Sequence, residues 1–560
     1  MDRKETIAKL KSSPRIPVLI LGGGINGIGT FRDLSLQRVE CLLVDKGDFC
    51  SGASMASSHM LHGGIRYLEN GEFRLVKEAL HERNNLLHNA PHLTHPLPTT
   101  IPIFKWFSGI LNAPLKFLGL LDRPAERGAM IIKLGLMMYD AYVRGSSPMP
   151  DHRMDTRKKA LTRWPQLNHD VLFAATYYDG GMYSPERLAL EILLDGEAEG
   201  DHARAANYLE AVGVDGEGVL LKDHLSGETF PVYPQIVINA GGPWIDLINQ
   251  RIDGDTEFIG GTKGSHLIVD HPELRDALGG HEFFFEYLDG RIVLIYPYLD
   301  HVLIGTTDIR VQHPNQVEVT ADEIDYILGM VPHVFPGIKV SLNQVIFQFT
   351  GVRPLPRAEG STGQVSRDHS LRIVEKGDQA PWPILNLIGG KWTSYRAFSE
   401  KVTDQVLGRL GLVRREGTAK LPIGGGAGYP KAGQEQKTWI DQTAEQTGLP
   451  ASRIKTLLER YGTRAKNLAL AAGGTEQSLT HLPDYTRSEI IYLTENEMIT
   501  RLDDFILRRS LTAWNGRASR ELLVELAEVI GSVLDWDPER QLIEVARCAR
   551  ILQENHRVRL

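Results

Sequence analysis

Gly22, Gly24 and Gly27 fall in a G-x-G-x-x-G spacing behind a short aliphatic run. The chemistry this spacing serves is the holding of a pyrophosphate: Gly22 suits a tight turn, Gly24 lets the backbone approach the phosphates, and Gly27 lets helix and strand pack closely. A helix starting here, with Asn26 in its first turn, offers unpaired N–H groups and the positive end of its dipole to an anion. Asp45 follows roughly 20 residues on, the distance at which an acid accepts from a ribose hydroxyl. The glycines alone leave FAD and NAD both open. Beyond Asp45, the loop carrying Ser51, Ser54, Ser57 and Ser58 is small and rich in hydroxyls, which suits a pyrophosphate and ribityl chain.

The elements that would position these residues follow from periodicity. Residues 16–21 are apolar and β-branched and predict a buried parallel strand, 25–37 a helix, and 41–44 a second strand ending at Asp45. Phe31 is a departure, because such helices often carry a small residue there against the sheet. A longer amphipathic helix is predicted over 72–87, and strands over 235–239, 291–296, 301–304 and 384–388. Strands mixed with helices across the first 400 or so residues predict an α/β assembly with a second sheet inserted between its segments. A helix leads from Arg396 towards Leu412, and a Gly/Pro-rich stretch follows. Beyond it the pattern is helical over 435–447, 452–461, 487–496, 501–509 and 519–534. The expected division is 1–410, a linker at 411–429, and an all-helical region at 430–560 that can bind a partner or support a homodimer.

At 560 residues the chain is long enough for two or three domains, and 42% hydrophobic with 24% charged residues describes a globular protein. A net charge of −8 gives no general attraction to nucleic acid. Three cysteines, Cys41, Cys50 and Cys548, without C-x-x-C spacing argue against a disulfide framework and against a cysteine metal site. The polar, lysine-rich start lacks the apolar core of a signal peptide, which predicts a cytoplasmic protein. Residues 101–121 are apolar but interrupted by Lys105, Pro114 and Lys116, unlike a spanning helix. With Phe104, Trp106, Phe107 and Phe117, and a second apolar run at 130–138, they suit either a helix in a membrane interface or buried helices.

Further blocks are more specific. His62-Gly63-Gly64-Ile65-Arg66-Tyr67-Leu68-Glu69 is followed in order by Asn239-Ala240-Gly241-Gly242-Pro243-Trp244, Lys263-Gly264-Ser265-His266, Gly305-Thr306-Thr307-Asp308, Gly351-Val352-Arg353-Pro354, Ser366-Arg367-Asp368 and Gly389-Gly390-Lys391-Trp392-Thr393-Ser394-Tyr395-Arg396. The ordered set, over about residues 16–400, resembles the FAD-dependent glycerol-3-phosphate dehydrogenases. That resemblance implies a Rossmann-like FAD domain of the glutathione-reductase or D-amino-acid-oxidase type, an antiparallel-sheet substrate cap and a C-terminal helical domain. It also implies oxidation of sn-glycerol 3-phosphate to dihydroxyacetone phosphate, with electrons passing to a membrane quinone, and a peripheral place on the cytoplasmic face of the inner membrane.

By matching block, Arg66, Arg353 and Arg367 are expected on the substrate phosphate, where a guanidinium fork makes bidentate contacts, with Tyr67 and Lys391 beside them. His266, then His62, is the expected base for the C2 hydroxyl, because imidazole titrates near neutral pH. The cofactor contacts expected are Gly22, Gly24, Asn26, Gly27, Asp45, Ser54, Ser57, Ser58, His62, Gly63, Gly64, Ala240, Gly242, Gly390, Lys391, Trp392 and Thr393. At residues 181–187 relatives often have an aspartate shortly before the arginine, and this chain has Pro185-Glu186 before Arg187. Three other functions compete: a glycerol-3-phosphate oxidase reducing O2, a non-catalytic FAD- or NAD-binding protein, and, more weakly, an amine or amino-acid oxidase of the same flavoprotein superfamily, whose substrate carboxylate needs fewer cations than a phosphate. The second would have no reason to keep Arg66, His266, Arg353, Arg367 and Lys391 together.

Overall fold

The computed structural model describes residues 3–65, 72–105, 129–143, 149–357, 368–377, 380–474 and 476–560. Strand Arg15–Leu21 lies between Cys41–Val44 and Thr229–Asn239, parallel to both. Ala203–Ala206 extends the sheet past Cys41–Val44, and Ile384–Ile388 extends it past Thr229–Asn239, both in parallel. Alternation along the first strand divides its side chains between two cores. Val18 and Ile20 pack with Ile28, Leu188, Phe398 and Val402 of three helices, and Leu19 and Leu21 face the core that holds Ile7 and Leu10 of helix Arg3–Ser12. Helix Ile25–Leu36 carries Phe31 fully buried. The large ring fits because Gly196 faces it from helix Pro185–Glu197, where a Cβ would come within 2.8 Å of the ring.

The second sheet is mixed, mostly antiparallel, and has ten strands among the described residues. Its longest pairing joins Thr94–Ile103 to Phe173–Met182. Neither strand is evident from periodicity, and Pro96, Pro98 and Pro102 argue against the first of them. These prolines occupy alternate positions, so the amides they lack all face the same way, and the strand still pairs with Phe173–Met182 along its length and with strand Glu282–Glu286 at Thr99 and Thr100. The apolar run at 101–121 therefore begins as the end of a buried strand; Trp106, Phe107 and Phe117 lie outside the described residues. The second run is helix Ala129–Val143. Among the described residues no helix is long and apolar enough to cross a membrane.

One face of this sheet is covered by helices Pro272–Leu278 and Ala321–Val334. The other, with Leu294, Leu303, Phe347 and Phe349, packs on the C-terminal helices. There the observed helices are Gln434–Thr447, Ala451–Tyr461, Arg487–Asn496 and Arg520–Leu534, with two not predicted, Ala465–Ala471 and Pro538–His556; the Asp537 cap of the latter accepts from Arg540 N–H at 2.7 Å. The predicted helix at 501–509 is a short α-turn, Leu502–Asp504, followed by a wider π-helical turn, Phe505–Arg509. That turn directs two successive arginines to one buried carboxylate, Asp48. Arg508 Nε lies 2.5 Å from Oδ2, Arg509 Nη2 lies 3.0 Å from Oδ1, and Arg509 Nη1 also donates to Oδ2.

Burial alone would raise the Asp48 pKa, but Arg509 and Arg508 hold it at about 2. Breaking a buried ion pair costs about 3–5 kcal/mol because the partner charge is left uncompensated. Asp48→Ala is therefore expected to lower the thermal midpoint sharply at neutral pH. The folded pKa lies below the unfolded value of about 3.9, so the contribution is complete above that value and fades as pH falls towards 2. Wild type and variant should thus converge in acid; an equal difference in midpoint at pH 7 and near pH 2 would rule this out.

Candidate active site

The turn behind the first strand is shaped by atoms that are missing. Gly22 has φ +114°, and a Cβ on it would lie 2.6 Å from the Ala240 carbonyl oxygen. A Cβ on Gly27 would lie 1.9 Å from the Gly22 carbonyl oxygen, and one on Gly23 would lie 2.7 Å from the Phe49 ring. Gly23 is thus a third constrained position in the turn, outside the motif spacing. Asp45 closes the turn, accepting from Gly23 N–H at 2.6 Å and Gly47 N–H at 2.8 Å. Burial lifts its pKa to about 6 against the pull of these N–H groups and of Lys46. At the head of helix Ile25–Leu36, Ser54 Oγ accepts from Ile25 N–H at 2.9 Å, so this hydroxyl caps the helix end that opens on the cavity.

Three loops distant in sequence are tied together beside this turn. Trp392 Nε1 donates to the Ser54 carbonyl at 2.8 Å, Thr393 Oγ1 to the His62 carbonyl at 3.2 Å, and Asn26 Nδ2 to the Gly389 carbonyl at 3.1 Å. Gly390 has φ +97°, and a Cβ there would meet Asn26 Nδ2 at 2.6 Å. Ser57 Oγ accepts from His59 N–H at 3.2 Å. Gly63 sits below the loop, donating its N–H to Asp179 at 3.0 Å; a Cβ on it would strike Tyr139 and Leu80.

A cavity of about 1510 Å³ runs between the two sheets. This exceeds the roughly 300–1,000 Å³ of ordinary small-molecule pockets and suits a dinucleotide together with a substrate. Its nucleotide-sheet wall includes Gly22, Gly24, Asn26, Asp45, Ala240 and Gly242. The loops add Ser54, Ser57, Ser58, His62 and Gly64, and Gly390, Lys391, Trp392 and Thr393. The second sheet contributes His266 and Arg353. Gly27 and Gly63 do not line it and act by packing behind it. Arg66, Tyr67 and Arg367 lie outside the described residues.

Arg353 is held in place from its own sheet. It lies over Gly264, where any Cβ would strike the guanidinium, and donates to Asp308 at 3.1 Å, Thr306 Oγ1 at 3.0 Å and the Thr307 carbonyl at 3.2 Å. His266 is buried and hydrogen-bonded through Nε2 to Ser58 Oγ at 2.8 Å. Burial, with Arg353 and His59 close by, holds its pKa well below the ordinary imidazole value. Lys263 of the same block is structural, with Nζ 2.7 Å from the Glu323 carboxylate. Arg187, at the other departure from the family pattern, is buried and grips Glu497 of the C-terminal region with two hydrogen bonds. Sequence reasoning gave no role to Lys46 and Trp244, whose ammonium and indole meet at 4.4 Å on the cavity wall near Asp45. Their signal was an aromatic inside the Asn239–Trp244 block and a cation directly after the acid.

The glycine cradle, the capped helix end and the size of the cavity fit a flavin dinucleotide, and the comparisons agree. The fold and site are those of an FAD-dependent oxidoreductase: a family model described as FAD dependent oxidoreductase matches residues 17–386, and one described as the C-terminal domain of alpha-glycerophosphate oxidase matches 417–541. A glycerol-3-phosphate dehydrogenase from Synechocystis sp. is 35% identical over 89% of this chain and 88% of its own length. The mitochondrial glycerol-3-phosphate dehydrogenase of Bos taurus is 28% identical over 98% of this chain and 75% of its own. The solved glycerol-3-phosphate dehydrogenase of Bacillus halodurans, complexed with FAD, superposes with a TM-score of 0.75 at 23% identity, covering 99% of this chain and 97% of that one. The chain belongs to the FAD-dependent glycerol-3-phosphate dehydrogenase family.

Because Gly27 has no room for a methyl group, Gly27→Ala should force the helix away from the turn and yield protein largely free of FAD. The flavin absorbance per polypeptide measures this, and full occupancy in the variant would show that the contact is dispensable.

Proposed function

We propose that this chain oxidises sn-glycerol 3-phosphate to dihydroxyacetone phosphate and passes the electrons to a membrane quinone. The observation that carries the reading is that one cavity is lined both by the glycine turn and by Arg353, Lys391, His62 and His266. FAD, held by these residues, would supply the acceptor, at its N5, for the hydride leaving C2 of the substrate. The protein's share is binding, orientation and the proton. In this reading Asp45 accepts from the ribose, and Ser54, Ser57 and Ser58 follow the pyrophosphate and ribityl chain. The Gly390–Thr393 turn sets its N–H groups beside the ring.

Arg353, oriented beforehand by Asp308, Thr306 and Thr307, offers its fork to the phosphate with Lys391, Arg66 and Arg367, and Tyr67 adds a hydroxyl. The C2 hydroxyl proton goes to a histidine of the wall, His266 or His62. Residues 1–410 form the catalytic unit with its inserted cap, 411–429 join it to the helices, and 430–560 form the helical domain.

An oxidase acting on the same substrate differs only in the acceptor. Such enzymes tend to carry a sizeable insertion that this sequence lacks between its blocks, which favours the dehydrogenase. The membrane part of the reading is supported by helix Ala129–Val143, where Met130, Leu134 and Met137 are 58%, 62% and 53% exposed along one stripe. Apolar side chains at this spacing suit contact with a bilayer surface.

Anaerobic mixing of the FAD-loaded protein with sn-glycerol 3-phosphate should bleach the oxidised flavin. Arg353→Ala should raise the concentration needed by about ten- to a hundredfold, the worth of a charged hydrogen bond. Bleaching by an amino acid and not by this substrate would overturn the reading, and stoichiometric peroxide under air would replace quinone by oxygen. Separately, Leu134→Glu with Met137→Glu should release the protein from sedimenting liposomes without loss of FAD. Undiminished sedimentation would exclude this face as the contact.

A further inference from the structure

Ser58 and His266 meet on the cavity wall through the 2.8 Å contact between Oγ and Nε2. The imidazole is fixed on both sides. It lies flat on Phe349, with centroids 4.8 Å apart and planes 6° from parallel, and a Cβ on Gly305 would come within 2.3 Å of its Cδ2. Only 1% of the residue is exposed. Its Nδ1 is buried and has no hydrogen-bond partner among the described residues.

A neutral imidazole carries one N–H and one lone pair. A proton on Nδ1 would strand a buried donor, which native structures avoid more strictly than a stranded acceptor. The proton therefore sits on Nε2, and Nε2–H donates to Ser58 Oγ. Arg353 and His59 act electrostatically on the ring, and both oppose a second proton. A serine hydroxyl that accepts one hydrogen bond still has its own O–H to donate. With His266 behind it, the side of Ser58 left for that donation is the cavity.

We propose that Ser58 donates a hydrogen bond to an oxygen of the three-carbon substrate, and that His266 is the positioning residue that aims this hydroxyl rather than the group that takes the C2 proton. This rests on the reading of the site given above, but takes the Ser58 hydroxyl from the cofactor chain to the substrate, leaving Ser54 and Ser57 on the pyrophosphate and ribityl chain. It separates His266 from His62, the other histidine on the wall.

The test compares His266→Gln, which keeps an N–H donor near the place of Nε2 but nothing that titrates near neutral pH, with His266→Ala and Ser58→Ala. Flavin reduction by sn-glycerol 3-phosphate is followed against pH, with FAD content and thermal midpoint confirming that each variant is folded. His266→Ala and Ser58→Ala should each lower kcat/KM by about tenfold, the worth of one hydrogen bond. The double variant should be no worse than either single one, since both remove the same donor. His266→Gln should recover much of the loss and keep the acid limb of the profile. Loss of that limb in His266→Gln, with a fall of about 10²–10⁴-fold as for a missing base, would overturn the assignment, as would wild-type kinetics in Ser58→Ala. Nitrogen NMR of the histidine-labelled holoenzyme, with His266→Gln identifying the signal, should place the proton on Nε2. A proton on Nδ1 would overturn the assignment whatever the substrate. Wild-type flavin that sn-glycerol 3-phosphate leaves unbleached would sink the substrate reading, a result distinct from any variant's behaviour.

Discussion

The close approach of helix Ile25–Leu36 to the end of the first strand is the constraint on which the site depends. Gly27 would need 1.9 Å between a Cβ and the Gly22 carbonyl, and Gly22 would press a Cβ on the Ala240 carbonyl. Three backbones therefore meet with no side chain between them. That contact aims the helix end at the cavity, and Asp45 keeps it there by accepting from Gly23 and Gly47. The polar atoms of the turn are fixed before any ligand arrives, so little orientational freedom remains to be lost on binding.

The rest of the site assembles around this contact because of strand direction. Arg15–Leu21, Thr229–Asn239 and Ile384–Ile388 are parallel neighbours, so their carboxyl ends fall on one edge of the sheet. The turns that follow them, at Gly22–Gly24, Ala240–Gly242 and Gly389–Lys391, line the same cavity. This is the crevice in which open α/β sheets hold their ligands. In the second sheet the antiparallel register does equivalent work. Thr262 lies opposite Arg353, and His266 is flanked by Gly305 on one side and Phe349 on the other. Residues far apart in sequence are thus set side by side by backbone pairing, and glycines leave the space in which the larger side chains lie.

What could be read from the sequence follows from the range of the interactions. The glycine spacing, Asp45 and their flanking elements can be read from residues close together in the chain, and the helix over Ile25–Leu36 and the strand over Cys41–Val44 are found where periodicity puts them. Phe31, a large ring where a small residue is usual, is accommodated by Gly196, a partner that no local pattern reveals. The strand Thr94–Ile103 was hidden because three prolines argue against it locally, while only the pairing with Phe173–Met182 shows that it forms despite their missing amides. The bond between Ser58 and His266 was invisible for the same reason, since the two are joined only by the meeting of a loop with the second sheet.

The C-terminal helices reach the site from both sides. Asp48 belongs to the loop that leaves Asp45, and its charge is balanced by Arg508 and Arg509 of the π-helical turn. On the second sheet, Trp514 packs on Phe347 at 4.6 Å and on Phe349 at 5.1 Å, and Phe349 is the platform under His266. A third tie runs from Arg187 of helix Pro185–Glu197 to Glu497. Without these helices Asp48 would lose both of its counter-charges, and the aromatic face carrying Phe349 would meet water. Both penalties fall on residues one or two contacts from the cavity, so the helical region supports the second-sheet wall of the cavity as well as covering that sheet.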